Sequence, residues 1–144
     1  MTQNRKKLID LFIGNISNSI VHKILEKAID NNEIINKYIK EQNISLEIAK
    51  KYRERINPAQ SILPDKDVDY IKSKIINKVK TELMLRISKG YKHISLNLIE
   101  NMVDNVLKDL IVFLVLAIFA NTFSKGFFNQ CKVSALGAFS IKES

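Results

Sequence analysis

The stretch VDYIKSKIINKVKTELMLRI, residues 68–87, decides the fold class of this chain. Its apolar residues recur every three or four positions, at Val68, Ile71, Ile75, Val79, Leu83 and Ile87. An α-helix has about 3.6 residues per turn, so this spacing places the whole set on one side of a helix. Asp65 and Asp67 suit the first turn of such a helix, and Gly90 suits its end. The sequence therefore predicts a helix over residues 65–89 with one buried face.

Helical spacing continues on both sides of this stretch, and no segment shows the sustained alternation of a strand. The predicted helices cover residues 4–13, 17–31, 33–42, 46–56, 65–89 and 95–122. Breaks are expected at Gly14 and Asn43, and Ser17, Ser45 and Ser95 are expected to act as N-caps because each follows an isoleucine. The predicted fold class is all-α, a small helical bundle of about five to six helices without a sheet.

The two longest predicted helices, 65–89 and 95–122, are expected to share one hydrophobic core. Both keep apolar residues at a spacing of three or four, which gives each helix an apolar face. The predicted core residues are Ile71, Ile75, Val79, Leu83, Leu98, Met102 and Val106.

Length and composition are those of one ordinary domain. The chain has 144 residues, 46% of them hydrophobic and 26% charged, which allows a core and does not resemble a disordered chain. Its single cysteine, Cys131, excludes an internal disulfide framework and a zinc site built from cysteines. A chain of this kind suits a reducing, intracellular setting, so we expect a cytoplasmic protein.

The basic charge of +8 is a weak indication of a nucleic-acid partner. The chain holds 22 Ile, 14 Asn and 19 Lys, residues with A/T-rich codons, but only 4 Arg. An A/T-rich genome accounts for much of this lysine content. Lysine is also less suited than arginine to bidentate contacts with phosphate or guanine.

Motifs for catalysis or metal binding do not emerge from the sequence. His22 and His93 have no Cys or second His at ligand spacing, and Cys131 has no local group to activate its thiol. The sequence Asp65-Lys66-Asp67-Val68-Asp69 resembles the start of a calcium loop, but Tyr70 and Ile76 occupy the positions of the required Gly and Glu. No phosphate-binding glycine motif or nucleophile elbow occurs. We expect no catalytic activity, no cofactor and no metal.

Residues 34–56 offer the best pattern for nucleic-acid binding. A turn at Asn43 between two helices would form a divergent helix-turn-helix. The second helix would present four basic residues: Lys50, Lys51, Arg53 and Arg55. Glu47 and Glu54 share this helix and would repel phosphates, so the pattern also suits an ordinary solvated face. In this interpretation, the lysines of helix 65–89 would extend the interface.

The last 35 residues, 110–144, differ from the preceding 109 in composition. Ile, Asn and Lys make up 47 of the first 109 residues but only 8 of these 35, and six of the seven Phe lie here. The segment LIVFLVLAIFA, residues 110–120, is apolar on every face of a helix. We therefore distinguish an amphipathic helical domain, 1–109, from an apolar, Phe-rich C-terminal helix and tail, 110–144, expected to pack on the same domain. A frame change in the gene would produce the same compositional boundary.

These observations favour a non-catalytic helical protein that acts through protein–protein contact or self-association. A helix that is apolar all round needs cover on every side, and a second copy or another protein would supply it. The interface candidates are Ile111, Phe113, Leu114, Ile118 and Phe119. The alternative is a nucleic-acid-binding module, and a third possibility is membrane association through residues 110–128. Residues 110–124, which are uncharged, form a helix of only about 22 Å, shorter than the roughly 30 Å hydrocarbon core.

Overall fold

The computed structural model describes residues 2–57 and 62–122, with side chains described over 4–57 and 62–110. Four α-helices follow one another: α1 (Thr2–Ala28), α2 (Asn32–Ile56), α3 (Asp65–Ser88) and α4 (Ile99–Thr122). A short 3₁₀ turn, Leu96–Leu98, precedes α4. The described residues contain no strand, which confirms the all-α prediction. The helices are fewer and longer than predicted.

The predicted break at Gly14 is wrong, because α1 runs through it without interruption. Glycine within a helix costs about 1 kcal/mol relative to alanine. Ile13 and Ile16, on either side, are 5% and 0% exposed, and their burial outweighs that local cost. Ser17 is not an N-cap: its buried hydroxyl donates to the Ile13 carbonyl oxygen at 2.7 Å, a bond made within the helix.

The predicted break at Asn43 is also wrong, since α2 continues through both Asn43 and Ser45. The cap of α2 lies twelve residues earlier than Asn43, at Asn31. The Asn31 side-chain oxygen accepts hydrogen bonds from the backbone N–H groups of Glu33 and Ile34, at 3.0 and 3.3 Å. An asparagine oxygen at this position satisfies amides that have no partner within the helix.

Helix α3 agrees with the sequence prediction at both ends and along the middle of its buried face. Four predicted core residues are at most 1% exposed: Ile71, Ile75, Val79 and Leu83. The helix ends as expected at Gly90, which has a positive φ of 95°. The N–H of Gly90 donates to the Ile87 carbonyl oxygen, and the N–H of Tyr91 donates to that of Arg86. These two bonds form the Schellman arrangement, in which glycine is preferred.

The buried face of α4 is displaced by one residue from the prediction. The predicted Leu98 is 41% exposed, and Met102 and Val106 are only partly buried. The residues that enter the core are Ile99, Val103, Leu107 and Leu110. Two adjacent apolar stripes run along this segment with the same period, and a one-residue shift rotates the helix by about 100°. Periodicity alone therefore does not select between them. Ser95 precedes the 3₁₀ turn but makes no capping hydrogen bond with its side chain.

Helix α1 packs against both α2 and α3. It runs parallel to α3, because Arg5 near its start donates to Asp67 at the start of α3 and Gly14 lies near Lys78 in the middle of α3. It runs antiparallel to α2, since the chain reverses over residues 29–31. Lys72 on α3 forms an ion pair with Asp104 on α4, at 2.6 Å.

The chain divides after Leu110 into two units, residues 1–110 and 111–144. The described hydrophobic core lies in the first unit and receives residues from all four helices. The side chains of the second unit lie outside the described residues. Packing of residues 110–144 on the helical domain therefore stays a prediction.

Candidate functional site

The helix-turn-helix predicted at residues 34–56 does not form, because α2 is one continuous helix there. One of its four basic candidates is also unavailable. Arg53 is 3% exposed and lies on the buried side of α2 together with Ala49 and Ile56. Burial lowers the pKa of Arg53, and its Nε has no hydrogen-bond partner among the described residues. The expectation that Arg53 contacts phosphate is therefore wrong.

The other three candidates lie on the surface of α2. The Lys50 ammonium pairs with Glu47 at 3.1 Å, whereas Lys51 and Arg55 are exposed. Lys51 and Arg55 are four residues apart and share one side of the helix, but Glu54 is exposed beside them. Two cations are few for DNA binding, since proteins that bind duplex DNA through its backbone make roughly 6–10 phosphate contacts. Nucleic-acid binding by α2 stays a prediction.

His22 is the centre of a polar cluster that joins three helices. Its Nε2 lies 3.4 Å from Glu41 Oε2 on α2, and its ring stacks on Tyr38 with the ring centres 5.3 Å apart. The His22 Nδ1 is buried and has no hydrogen-bond partner among the described residues. Burial lowers the pKa of His22, and the nearby positive charge of Arg86 acts in the same direction. Glu41 opposes this shift, as a carboxylate beside an imidazole does.

Arg86 forms the α3 side of the same cluster. Its Nε and Nη2 each lie 3.2 Å from Glu82 Oε1, and its guanidinium lies 5.8 Å from the centre of the Tyr91 ring. Burial, reinforced by Tyr91, raises the pKa of the Tyr38 hydroxyl. These contacts hold α1, α2, α3 and the start of the following loop in one register. The sequence identified His22 only as a histidine without a metal-ligand partner at local spacing.

No group of three or more His, Cys, Asp and Glu side chains in the described part of the chain is placed to hold a metal ion. His22 and Glu41 are two such groups, and zinc sites use three or four ligands. The cluster is therefore described by its contacts between helices.

A surface groove of about 540 Å³ runs between α1 and α3. Its lining consists of Asp10, Ile13, Tyr70, Lys74, Asn77, Lys78, Thr81 and Glu82. The Lys74 ammonium lies 5.6 Å from the centre of the Tyr70 ring, and a methyl group added at Gly14 would lie 3.6 Å from Lys78 Nζ. Neither ammonium forms an ion pair with a described residue, whereas Glu82 pairs with Arg86. With Glu82 paired to Arg86, the groove holds two unpaired ammonium groups and the Asp10 carboxylate, an excess of one positive charge.

Beyond the groove, the last two turns of α3 expose large apolar side chains. Met84, Leu85 and Ile87 are 53%, 47% and 41% exposed. Successive helical residues are about 100° apart, so Leu85 lies on the outer side of α3, whereas Met84 and Ile87, three residues apart, lie next to one another on the flank beside the buried stripe. We call this group the α3 apolar patch. Ile87 was part of the predicted buried stripe in the sequence, and the structure places it outside the core.

Sequence reasoning did not single out the groove, although a signal was available. Tyr70, Lys74 and Lys78 recur every four residues, as do the buried residues of the same helix. This second stripe is recognised as part of a surface groove only once it is known which stripe of the helix is buried. The interface candidates predicted from sequence, Ile111, Phe113, Leu114, Ile118 and Phe119, have side chains outside the described residues.

Comparison with protein-family models, curated proteins and solved structures found no match to this chain. Within the described residues, no helix has the length and apolar character needed to cross a membrane.

Proposed function

We propose that this chain is a non-catalytic helical protein that acts by contacting another protein through the last two turns of α3. One observation carries the proposal: the α3 apolar patch exposes Met84, Leu85 and Ile87, at 41–53% each, within about one turn of the helix. Apolar residues scattered singly over a surface are ordinary, but a contiguous group points to a contact surface. Covering it removes apolar area from water, which is favourable by about 25 cal/mol per Å².

The charge of the chain favours a different protein over a second copy at this surface. Each copy carries a net charge of +8, so two copies repel one another before the patches meet. The three side chains also offer only roughly 300 Å², against about 800 Å² per partner in a stable interface. The patch therefore serves as the apolar part of a larger contact. Two further parts of the proposal are separate from this contact. One is a cytoplasmic location, and the other is self-association through Ile111, Phe113, Leu114, Ile118 and Phe119.

A site-specific photo-crosslinker tests the contact in cells that make the protein. Placed at Leu85, it is expected to yield discrete crosslinked products of higher mass. The matched control places the same group at Glu54, which is exposed near the end of α2, and the antiparallel course of α2 places that end beside the start of α3 and not beside the patch. Products that are equal at both positions, or missing at Leu85, would refute the contact.

Self-association has its own test in sedimentation velocity. Leu114→Glu with Ile118→Glu is expected to convert an oligomer into a monomer, since a charge buried in an apolar interface is costly. A wild-type chain that sediments as a monomer at all accessible concentrations contradicts this part of the proposal and leaves the α3 contact standing.

A further inference from the structure

We propose that the groove between α1 and α3 binds an acidic amphipathic helix of the partner protein, with Lys74 and Lys78 receiving its carboxylates. This inference rests on the proposed function, because the α3 residues of the groove and Leu85 of the α3 apolar patch lie on one side of α3. The proposed function gives the place of contact, and this inference gives the chemical character of the partner that binds there.

The two ammonium groups of the groove form no ion pair with a described residue, and Asp10 offsets only one of their two charges. Lys74 and Lys78 are four residues apart on α3, which puts their side chains on the same side of the helix, with Cβ atoms about 6 Å apart. Of the two acidic residues in the lining, Glu82 is already paired with Arg86. Carboxylates spaced four residues apart on a partner helix have the same separation and would face the two ammonium groups.

The two ends of this side of α3 are less polar than its middle. Tyr70, 42% exposed, lies one turn before Lys74, and Leu85, 47% exposed, lies about two turns after Lys78. Tyr70 and Leu85 are about 22 Å apart along the helix, the length of roughly 15 helical residues. The surface thus fits a partner helix of about four turns with acidic residues in its centre and apolar residues near both ends.

Two features of this surface favour an acidic helix over a nucleic acid as its partner. They are the apolar side chains at its two ends and the acidic residue in the groove. Phosphodiester backbones carry charge at every step and have no apolar ends to place on Tyr70 and Leu85. Asp10, on the α1 side of the groove, repels any anionic ligand. It would repel a partner helix with two carboxylates moderately and a polyanion strongly.

The experiment uses the full chain and a helix-forming peptide of about 16 residues, with two central glutamates four residues apart and leucines near both ends. A second peptide carries lysines in place of the glutamates. Two double variants have the same change in charge: Lys74→Glu with Lys78→Glu in the groove, and Lys37→Glu with Lys40→Glu on the exposed side of α2. Dissociation constants come from fluorescence anisotropy, and circular dichroism checks that each variant folds.

The acidic peptide is expected to bind the wild type and to lose at least about tenfold in affinity with the groove variant, but little with the α2 variant. The lysine peptide is expected to bind the groove variant better than the wild type, which a change in net charge or folding alone would not produce. Asp10→Asn is expected to strengthen binding of the acidic peptide. If the groove variant misfolds, Lys74→Gln with Lys78→Gln replaces it, with Lys37→Gln and Lys40→Gln as its control.

Equal losses in the two double variants would overturn the inference, because attraction would then follow net charge alone. Failure of the acidic peptide to bind the wild type would overturn it too, as would tighter binding of a single-stranded oligonucleotide to the same lysines. None of these results touches the crosslinks expected at Leu85. Crosslinks at Leu85 without discrimination between the peptides therefore leave the proposed function standing, and loss of those crosslinks removes it.

Discussion

Val103→Ala is expected to destabilise the chain by about 2 kcal/mol, and Val106→Ala by less than about 0.5 kcal/mol. The two valines lie on α4 three residues apart, but Val103 is 0% exposed whereas Val106 is only partly buried. The pair therefore tests the observed rotation of α4, in which the buried residues are displaced by one position from the predicted Leu98, Met102 and Val106.

The magnitude follows from burial. Valine to alanine removes two carbon groups, worth about 0.8 kcal/mol each when fully buried, and the cavity left behind adds about 1 kcal/mol. Alanine is the better helix former by about 0.5 kcal/mol, which reduces the loss at both positions equally. The difference between the variants, about 1.5–2 kcal/mol, is thus independent of helix propensity.

Urea unfolding at pH 7, followed by circular dichroism, measures both losses. A loss of about 2 kcal/mol lowers the urea midpoint by roughly 1 M, with an unchanged slope. Equal losses, or a larger loss for Val106→Ala, would refute the observed register and restore the predicted one.

Three further predictions concern pH, capping and nucleic acid. Burial lowers the pKa of His22 below its ordinary 6.5, so the unfolded chain takes up a proton at a higher pH than the folded chain does. The free energy of unfolding is therefore expected to fall as the pH drops through about 6.5. His22→Gln should flatten this decline in urea midpoints measured from pH 8 to 5, and an identical decline would contradict the assignment. Asn31→Ala should cost about 1 kcal/mol, because two backbone amides lose their acceptor, and thermal unfolding that is unchanged would argue against the cap. Duplex DNA should bind only weakly and non-specifically, and its affinity should fall steeply with added salt. The double variant Lys51→Glu with Arg55→Glu should weaken binding further, and a site-specific nanomolar complex at physiological salt would contradict this prediction.

The sequence by itself determined the fold class, both ends of α3 and the middle of its buried face. Its buried residues recur with the helical period over about three and a half turns, and only one apolar stripe is continuous there. Gly90 ends the helix because it adopts a positive φ at low cost, and this preference is local. Periodicity and local backbone chemistry suffice where a single signal extends over a long stretch.

The candidate site needed the tertiary structure. The sequence predicts Arg53 to be an exposed cation, but in the structure, where α2 packs against α1, Arg53 is buried. Nothing in the sequence separates Lys74 and Lys78 from ordinary solvated lysines, but the parallel arrangement of α1 and α3 places them in a groove. Neither position differs from its neighbours in residue type, so the property that matters is which helix lies beside it.

Helix continuity and rotation were likewise decided by packing. Gly14 and Asn43 carry local preferences against helix of about 1 kcal/mol or less, which burial of a few side chains along the same helix exceeds. On α4, the stripes through Val103 and Val106 have equal periods, and contact with the other helices selects the first. A local preference determines structure only where the burial energy of the alternatives is equal, and that energy depends on residues distant in the sequence.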